Sequence, residues 1–512
     1  MQGVTYFCSM QQWIDAVTAL YTQWKGVAPV SLDVLPQSGS ERRYFRLHGG
    51  SFGGGANGGS NGGGAGAGAR SVIGTYGNNI HENETFFYFS KHFREKGLAV
   101  PEILAISKDR QFYLQEDFGD ESLLWHLESK GQTPEVYELF KKTTQALAAL
   151  QVRGDQGLDY NRCLTNKEFG KQAILADLLY FKYYFLDALR RPYDKQQLID
   201  DFEALSNYLT HTEYKYFLFR DFQSRNIMVA PEGSVHFIDY QGGMKGAPQY
   251  DVASLLWQAR AGLTDEWKQQ LLEDYMDAFE STIGTGIDRK LFRSQYNGYV
   301  LIRLLQVLGA YGFRGLFERK AQFLTSIPLA LRNLRDFFNQ HSVGITVPEF
   351  RKVLNICVSD EVIAQFTPTQ ATTETPLVVK VYSFSFRNGH IPDESGNGGG
   401  FTFDCRGILN PGRVEEMKTL TGRDKPVRDF LEQRTKMPEF LNSVFDIVDM
   451  TVEDYIKRGF GSLMVGFGCT GGQHRSVYAA DEMARHLRNK FKVKVELAHT
   501  VQDAKNWINL PS

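Results

Sequence analysis

The stretch Phe217-Leu-Phe-Arg-Asp-Phe-Gln-Ser-Arg-Asn-Ile-Met-Val229, with Phe237-Ile-Asp-Tyr-Gln-Gly-Gly243 behind it, decides the fold. Apolar residues run up to Arg220-Asp221, stop for a short polar loop and resume at Ile227 to Val229. They turn at Pro231-Glu-Gly233 and resume again from Val235 to Ile238. This is the pattern of strand, loop, strand, hairpin turn, strand, and it delivers Asp221, Asn226 and Asp239 to one edge.

Phosphoryl transfer from ATP asks little covalent chemistry of a protein. It needs a carboxylate to orient and deprotonate the attacking hydroxyl, and oxygen ligands that hold Mg²⁺ against the phosphates. Asp221 and Asn226 stand at the D-x-x-x-x-N spacing of a kinase catalytic loop. A turn rich in Asx residues, with Asp221 capping a helix, accounts for those two residues but not for the Asp239 that closes an apolar strand.

On these residues the stretch resembles the catalytic core of the aminoglycoside phosphotransferase family of small-molecule kinases. Within it, the similarity is greatest to the cell-wall amino-sugar kinases that phosphorylate N-acetylmuramate or N-acetylglucosamine at the anomeric hydroxyl. Their loop reads R-D-F/H-x-x-x-N and is followed by a D-F/Y-Q strand. The resemblance implies an α+β two-lobed protein-kinase-like fold, ATP and Mg²⁺ as cofactors, an amino-sugar substrate, Asp221 as the catalytic base, and Asn226 and Asp239 as the metal ligands.

The remaining composition sets the frame. A chain of 512 residues with 42% hydrophobic and 23% charged content is long enough for two or three globular domains. A net charge of −2 gives no global attraction to nucleic acid. The five cysteines (Cys8, Cys163, Cys357, Cys405 and Cys469) are odd in number and widely spread, which argues against a disulfide framework and for a reducing compartment. Met1 to Met10 has no basic region leading into an apolar core, and no later run approaches eighteen apolar residues. The expectation is a cytoplasmic protein without a membrane partner.

Residues 1–366 are expected to form the kinase domain. Residues 11–27 carry helical apolar spacing, and Leu35 to Leu47 reads as a tight hairpin whose Arg42, Arg43 and Arg46 bring charge near the phosphates. The cell-wall sugar kinases carry a similar S-x-R-R-Y-F-R stretch. Residues 49–68 hold twelve glycines in twenty positions. Without lysine or a fixed G-x-G-x-x-G leading into a helix, this is no phosphate loop; residues 49–69 are expected to be a flexible insertion joining two strands. The next strand, Ser71 to Tyr76, lacks the lysine that a kinase normally places there. That departure assigns phosphate neutralisation to Arg43 or Arg46 and the metal, and leaves a non-catalytic ATP-binding protein as the rival reading. Glu82 or Glu84 is available to orient an arginine. A helix is expected from Glu84 to Lys96, and strands at Gly97 to Ala105 and Phe112 to Asp117. The second strand ends at Glu116 in the hinge where adenine is received. Helices follow through Leu209 and, after the catalytic strands, from Pro248. Asp251 there reads as a helix-start and loop-anchoring residue.

Phe366 to Pro376, rich in Thr and Pro, marks residues 367–376 as a linker to a second domain, 377–512. This is expected to be a smaller α/β domain with a strand, a Gly-rich anion loop and a helix. Gly461 to Cys469 reads as a strand, Thr470-Gly471-Gly472-Gln473-His474-Arg475-Ser476 as the loop, and Val477 to Asn489 as the helix. Such a loop gathers backbone N–H groups at a helix N-terminus and forms an anion pocket, in which Arg475 is expected to hold a phosphate bidentately and His474 to add charge or a donor at mildly acidic pH. Cys469 and Arg475 also have the C-x5-R spacing of cysteine phosphatases, although Asp404 and Asp424 are no more than unanchored candidates for the general acid that reading requires. The loop and its surroundings, including Ser383 to Gly389, Phe403 to Arg406, Asn410-Pro411 and Leu420 to Val427, resemble the C-terminal domain of the RNase adapter protein RapZ over residues 377–509. That resemblance implies binding of a phosphorylated amino sugar and of regulatory RNA. The chain departs from that family in having a kinase domain in place of the family's G-x-x-x-x-G-K-[ST] domain, so an RNA role does not carry over whole. The basic residues Arg485, Arg488, Lys490, Lys492 and Lys494 fit a solvated helix face as readily as an RNA site.

Because lengthening a loop costs little closure entropy, deletion of residues 51–66 is expected to leave thermal stability and ATP affinity unchanged. Differential scanning fluorimetry and calorimetry check this, and a large loss in either would assign the tract a structural or functional task.

Overall fold

The computed structural model describes residues 2–35, 42–49, 71–318, 321–393, 395–396, 399–505 and 507. The glycine-rich tract expected to be a flexible insertion lies outside the described residues, apart from Gly49, as do residues 36–41 of the expected hairpin. The chain divides into two units. One comprises Met1–Tyr183, Arg191–Gly309 and Asn333–Asn355, and the other Tyr184–Arg190, Ala310–Arg332 and Ile356–Ser512.

The first unit opens with helix α1 (Gln2–Lys25), longer than the expected 11–27 at its start, and a five-stranded antiparallel sheet. Its strands β1 (Ser31–Val34), β2 (Arg43–His48), β3 (Val72–Tyr76), β4 (Ile103–Ile106) and β5 (Phe112–Glu116) lie in the order β1-β2-β3-β5-β4. The two-residue period of β2 sends Phe45 and Leu47 into a core with Val17, Leu20 and Tyr21 of α1. Arg42, Tyr44 and Arg46 are thereby sent to the opposite face. Gly74 lets α1 approach the sheet closely, since a Cβ there would sit 2.2 Å from Val17 Cγ2. Helix α2 (Ile80–Glu95) starts four residues earlier than the spacing suggests, because Asn79 caps it by accepting the Glu82 N–H at 3.2 Å. Of the stretch 97–105 only the last three residues are strand, in β4, which runs on to Ile106. Gly97 takes a positive φ of 67° after α2, and Pro101 has no N–H to give a ladder.

Helices α3 (Leu123–Lys130), α4 (Pro134–Asp155), α5 (Lys171–Phe181) and α6 (Lys195–Thr210) precede the catalytic segment. That segment forms β6 (Tyr216–Leu218), β7 (Ile227–Val229), β8 (Val235–Phe237) and β9 (Met244–Gly246), with β7 paired to β8 and β6 to β9. Then come α7 (Gln249–Leu256), α8 (Asp265–Ile283) and α9 (Arg289–Tyr311). Contrary to the expectation from apolar runs, the segment Arg289–Phe317 is long and apolar enough to cross a membrane by length and composition. Its residues Phe292 to Leu308 nevertheless supply buried side chains to the first unit, which is what a core helix does. Helices α10 (Ala321–Leu324), α11 (Ile327–Gln340), α12 (Pro348–Cys357) and α13 (Asp360–Phe366) follow.

In the second unit β10 (Val378–Ser385), β11 (Phe401–Asp404), β12 (Ser462–Cys469) and β13 (Lys494–His499) form a wholly parallel sheet in the order β11-β12-β10-β13. Helices α14 (Lys425–Arg434), α15 (Met437–Arg458), α16 (Arg475–Phe491) and α17 (Thr500–Ala504) complete it. Leu463, Val465, Phe467 and Cys469 of β12 alternate into a core shared with Val448 and Val452 of α15 and Met483 and Leu487 of α16. Between β12 and α16 the chain makes the expected tight glycine loop, and α16 begins two residues before Val477.

Candidate active site

The loop between β6 and β7 is hung from one buried carboxylate. Asp251, wholly buried on α7, accepts the N–H of Phe219 at 2.8 Å, that of Arg220 at 3.0 Å, and Gln151 Nε2 at 3.0 Å. Burial pushes its carboxyl up to about 6, with the two backbone donors and Gln151 pulling the other way. Arg220 takes a positive φ of 80° and anchors its guanidinium on both oxygens of Asp177, at 2.9 Å each, and on the Tyr250 hydroxyl at 2.7 Å. The next residue, Asp221, therefore leaves the strand in a fixed direction.

The structure brings Asp221, Asn226 and Asp239 together. Asn226 donates its amide to the Asp221 carbonyl at 2.9 Å and reaches Asp239 Oδ2 at 3.5 Å, and its own carbonyl accepts the Ile238 N–H at 3.0 Å. Asp239 has a positive φ of 71° and accepts Gln241 Nε2 at 2.9 Å. With its nitrogen spent on the loop, Asn226 has its Oδ1 left for a cation beside the Asp239 carboxylate. One amide oxygen and one carboxylate form a donor set that suits Mg²⁺, which usually takes one or two protein oxygens and completes its shell with phosphates and water. Bound there, the metal would supply positive charge against the phosphates.

Of the residues expected to meet the nucleotide, Arg43 points to the α1 side of β2, with its guanidinium 5.8 Å from the Trp13 ring centroid. Arg46 lies on the opposite face and is held by Asp117 at 2.7 Å and by Asp120 at 2.8 Å. Glu116 ends β5; its N–H goes to the Glu102 carbonyl at 3.0 Å and its carboxylate lies 3.6 Å from Arg94. The buried Arg42 is linked to Asp239 through Glu82 and Gln241. It sits 3.2 Å from Glu82 of α2 and hydrogen-bonds Tyr44, while Glu82 also accepts Gln241 Nε2 at 3.2 Å. Glu84 pairs instead with Arg110. Strand alternation carries the signal that separates Arg42 from Arg43. A second arginine has no local signal: Arg303 of α9 places Nη2 3.0 Å from Asp221 Oδ1.

In the second unit the loop 469–476 closes around its own sulfur. Cys469 Sγ accepts the Gly472 N–H at 3.1 Å and lies 3.1 Å from Ser476 Oγ. Burial would raise its thiol, but the Ser476 hydroxyl and the N–H groups of Ser476, Gln473 and Gly472 outweigh it and hold the group below its ordinary value. Gly472 has φ 64°, and a Cβ would meet Val501 Cγ2 at 2.5 Å. The carbonyl of Thr470 accepts Ser385 Oγ at 2.7 Å, and no side chain or backbone atom crowds the Cβ position of Gly471. His474, expected to add charge in mild acid, spends Nε2 on the Met417 carbonyl at 2.8 Å, and burial lowers its pKa. Arg475, expected to grip phosphate in bidentate fashion, is almost fully buried and donates to the carbonyls of Arg406 at 3.1 Å and Ile408 at 2.7 Å. The two candidate general acids are also engaged. Asp404 is paired with Arg406, which holds its carboxyl low, and Asp424 accepts the N–H and hydroxyl of Thr421 at 2.6 and 2.9 Å. Among the basic residues of α16 and β13, Arg485 meets Glu482 at 2.7 Å, Lys490 meets Asp449 at 2.7 Å, Lys494 lies 3.8 Å from Glu496, and Arg488 donates to the Val495 carbonyl at 3.0 Å.

Residues 80–284 match the family described as phosphotransferase enzyme family, and residues 377–503 match the RapZ C-terminal domain. The chain thus joins a phosphotransferase-family domain of protein-kinase-like fold to a RapZ C-terminal domain. A nucleotide-binding protein of Fervidobacterium nodosum is 36% identical over 125 residues, which is 24% of this chain and 43% of that protein. The chain spans about two fifths of the length of the curated relatives it matches. An ethanolamine kinase of Plasmodium vivax aligns with TM-score 0.40 at 14% identity, covering 60% of this chain and 82% of that one. A choline/ethanolamine kinase family protein of Mesorhizobium loti aligns with TM-score 0.42 at 12% identity, covering 68% and 99%.

Burial pushes the thiols of Cys163 and Cys357 up, to about 11 and about 12, and that of Cys405 well up, so Cys469 is set apart from them. Thiolate absorbance at 240 nm, wild type minus Cys469→Ser, is expected to rise with a midpoint below that of an ordinary thiol. A midpoint at or above the ordinary value would show that the loop N–H groups do not stabilise the thiolate.

Proposed function

We propose that the first unit transfers the γ-phosphoryl group of ATP to a hydroxyl of an amino sugar, with Asp221 as the base and Asn226 and Asp239 holding Mg²⁺. The observation that carries this reading is the convergence of these three side chains at the end of a loop fixed by Asp251. The acceptor hydroxyl gives its proton to the Asp221 carboxylate as its oxygen forms a bond to the γ-phosphorus, and the bond to the bridging oxygen breaks to release ADP. Arg42, oriented by Glu82, supplies the positive charge that the lysine-free strand β3 does not. An amino sugar as acceptor, phosphorylated at the anomeric position, rests on the sequence resemblance of the R-D-F-Q-S-R-N loop and D-Y-Q strand to the cell-wall sugar kinases.

The RapZ C-terminal domain binds, in this reading, a phosphorylated amino sugar at the loop Cys469 to Ser476. Support comes from the N–H groups of Gly472, Gln473 and Ser476, which converge at the start of α16 on Cys469 Sγ, whose place a phosphate oxygen would have to take. One chain would then make an amino-sugar phosphate and sense one. Regulatory RNA is left out of the reading, since four of the five basic residues considered for it have acidic or carbonyl partners.

Wild-type chain incubated with ATP, Mg²⁺ and N-acetylmuramate, N-acetylglucosamine, glucosamine or an aminoglycoside is expected to phosphorylate an amino sugar, with product position read by NMR. Asp221→Ala should lose about 10²- to 10⁴-fold in turnover, the contribution of a positioned general base. Wild-type turnover by Asp221→Ala on every acceptor, or ATP binding without transfer to any of them, would favour a non-catalytic ATP sensor. For the second unit, calorimetry of the full chain with glucosamine 6-phosphate is expected to show binding that survives Cys469→Ser, without release of inorganic phosphate. Phosphate release that depends on Cys469 would make the loop a phosphatase instead.

A further inference from the structure

In its second half, from Tyr299 to Leu308, helix α9 is a nearly unbroken apolar run. Val300, Leu301, Ile302, Leu304, Leu305 and Leu308 are all buried, and in their midst stands one cation, Arg303, itself only 6% exposed. Moving a guanidinium out of water costs several kcal/mol unless it is paired and hydrogen-bonded. Such a residue in such a place calls for a partner, and among the described residues the carboxylate it pairs with is that of Asp221, 82 positions earlier in the chain. The rest of its donor set goes to neutral groups, Gln306 Oε1 at 2.7 Å and the hydroxyl of Tyr250. Tyr250 is shared, because its hydroxyl also receives Arg220 Nη1 at 2.7 Å, and Arg220 is the residue that sets the direction of Asp221.

The two oxygens of the Asp221 carboxylate are held unequally. Oδ1 is held by the buried Arg303 at 3.0 Å. Oδ2 is held by Arg225 at 3.2 Å, a side chain 59% exposed and only four residues along, in the geometry of a surface pair. Exposed pairs of that kind are worth about 0–1 kcal/mol and exchange readily with water or a ligand. A buried guanidinium beneath an exposed one leaves one carboxylate oxygen held from the interior and the other open to exchange of partners.

We infer that Arg303 is a positioning residue for phosphoryl transfer: it clamps Asp221 Oδ1 from the protein interior so that Oδ2, vacated by Arg225, meets the acceptor hydroxyl and takes its proton. The inference rests on the phosphotransferase reading of the first unit and adds a residue that lies outside the D-x-x-x-x-N loop. Proton and electron accounting follow the transfer already described. The proton lost by the acceptor goes to Oδ2, and the guanidinium keeps all of its protons, since arginine is not deprotonated in proteins. Arg303 acts through Asp221 and does not touch the nucleotide. Its loss is therefore expected to change the chemical step and spare nucleotide binding.

The test uses the full chain with ATP and whichever of N-acetylmuramate, N-acetylglucosamine or glucosamine the wild type phosphorylates. Arg303→Ala is expected to lower kcat about 10- to 100-fold, the scale set by small misplacement of a catalytic group, with KM for ATP within about twofold of wild type, as for a group that acts only in the transition state. Arg303→Lys, which keeps the charge but not the planar fork, should fall between the two. Added guanidinium chloride at low millimolar concentration should restore part of the activity of Arg303→Ala and none of that of Asp221→Ala. A residue that merely fills the core would not respond to guanidinium, and its replacement would lower ATP affinity and melting temperature together; that outcome overturns the inference. Unchanged kcat in both Arg303 variants overturns it as well. If the Ala variant does not fold, the Lys variant decides on the split between kcat and KM. Should Asp221→Ala remain active, the phosphotransferase reading fails first; should Asp221→Ala be inactive while the Arg303 variants stay at wild-type turnover, only the clamp is lost.

Discussion

The first unit depends on the buried carboxylate of Asp251. A strand that ends inside a protein leaves N–H groups that must find an acceptor, and leaving each one unmet costs about 1–3 kcal/mol. Asp251 accepts two of them, from Phe219 and Arg220, in a site where burial alone would favour the neutral acid. The same bonds make it possible for Arg220 to hold a φ of 80°, a conformation that costs a non-glycine residue of order 1–3 kcal/mol and persists only where its surroundings fix it. Asp177 and Tyr250 add the side-chain half of that fixation. The direction of Asp221 is thus set by groups on two helices, α5 and α7, neither of which needs to touch a substrate.

What could be read in the sequence was what is local. The five-residue step from Asp221 to Asn226, the strand that ends at Asp239, the helix-start carboxylate of Asp251 and the glycine loop after Cys469 all depend on neighbours within a few positions, and spacing reports on such neighbours directly. The arginines needed a longer reach. Arg42, Arg43 and Arg46 are equivalent by composition, and only the pleat of β2 separates Arg42, against Glu82, from Arg43, against Trp13. Counting in twos from the buried Phe45 and Leu47 would have distinguished them. Arg303 carried no such hint beyond being the one charge in the apolar second half of α9, because its partner is 82 residues away and the pairing exists only after the large lobe has packed. For the same reason the length and apolarity of α9 read alike for a core helix and for a membrane span, and only the packing of its side chains distinguishes the two.

The second unit shows how a motif can be present and its chemistry redirected. Strand, glycine loop and helix N-terminus assemble as the spacing implies, and their N–H groups do point at an anion-sized centre. In this conformation the centre is occupied by the sulfur of Cys469, which takes the donors that a phosphate would otherwise take. Arg475 meanwhile ties the start of α16 to the carbonyls of Arg406 and Ile408 beyond β11. A guanidinium holding two backbone carbonyls is acting as a buried brace. The C-x5-R spacing reports only that both residues are in the loop, since an arginine that grips phosphate and one that grips the neighbouring backbone occupy the same position in the sequence.

The polar groups of the first unit form one connected line from the small lobe to α9. Arg42 meets Glu82, Glu82 meets Gln241, Gln241 meets Asp239, Asp239 meets Asn226, Asn226 meets the Asp221 backbone, and the Asp221 side chain meets Arg303. Each end of the line is a buried arginine and its middle holds the candidate metal ligands, so two cations flank three carboxylates. Of the two ends, Arg42 is the one that, in the proposed reading, stands in for the lysine absent from β3. A lysine on that strand would reach in as a flexible point charge, whereas an arginine carries a rigid, permanently protonated fork that holds one orientation between Glu82 and Tyr44. The β3 residue on the same face as Arg42 and Tyr44 is Thr75, the ladder partner of Tyr44 and itself wholly buried, so the cation is launched from Arg42 at the entrance to β2 instead.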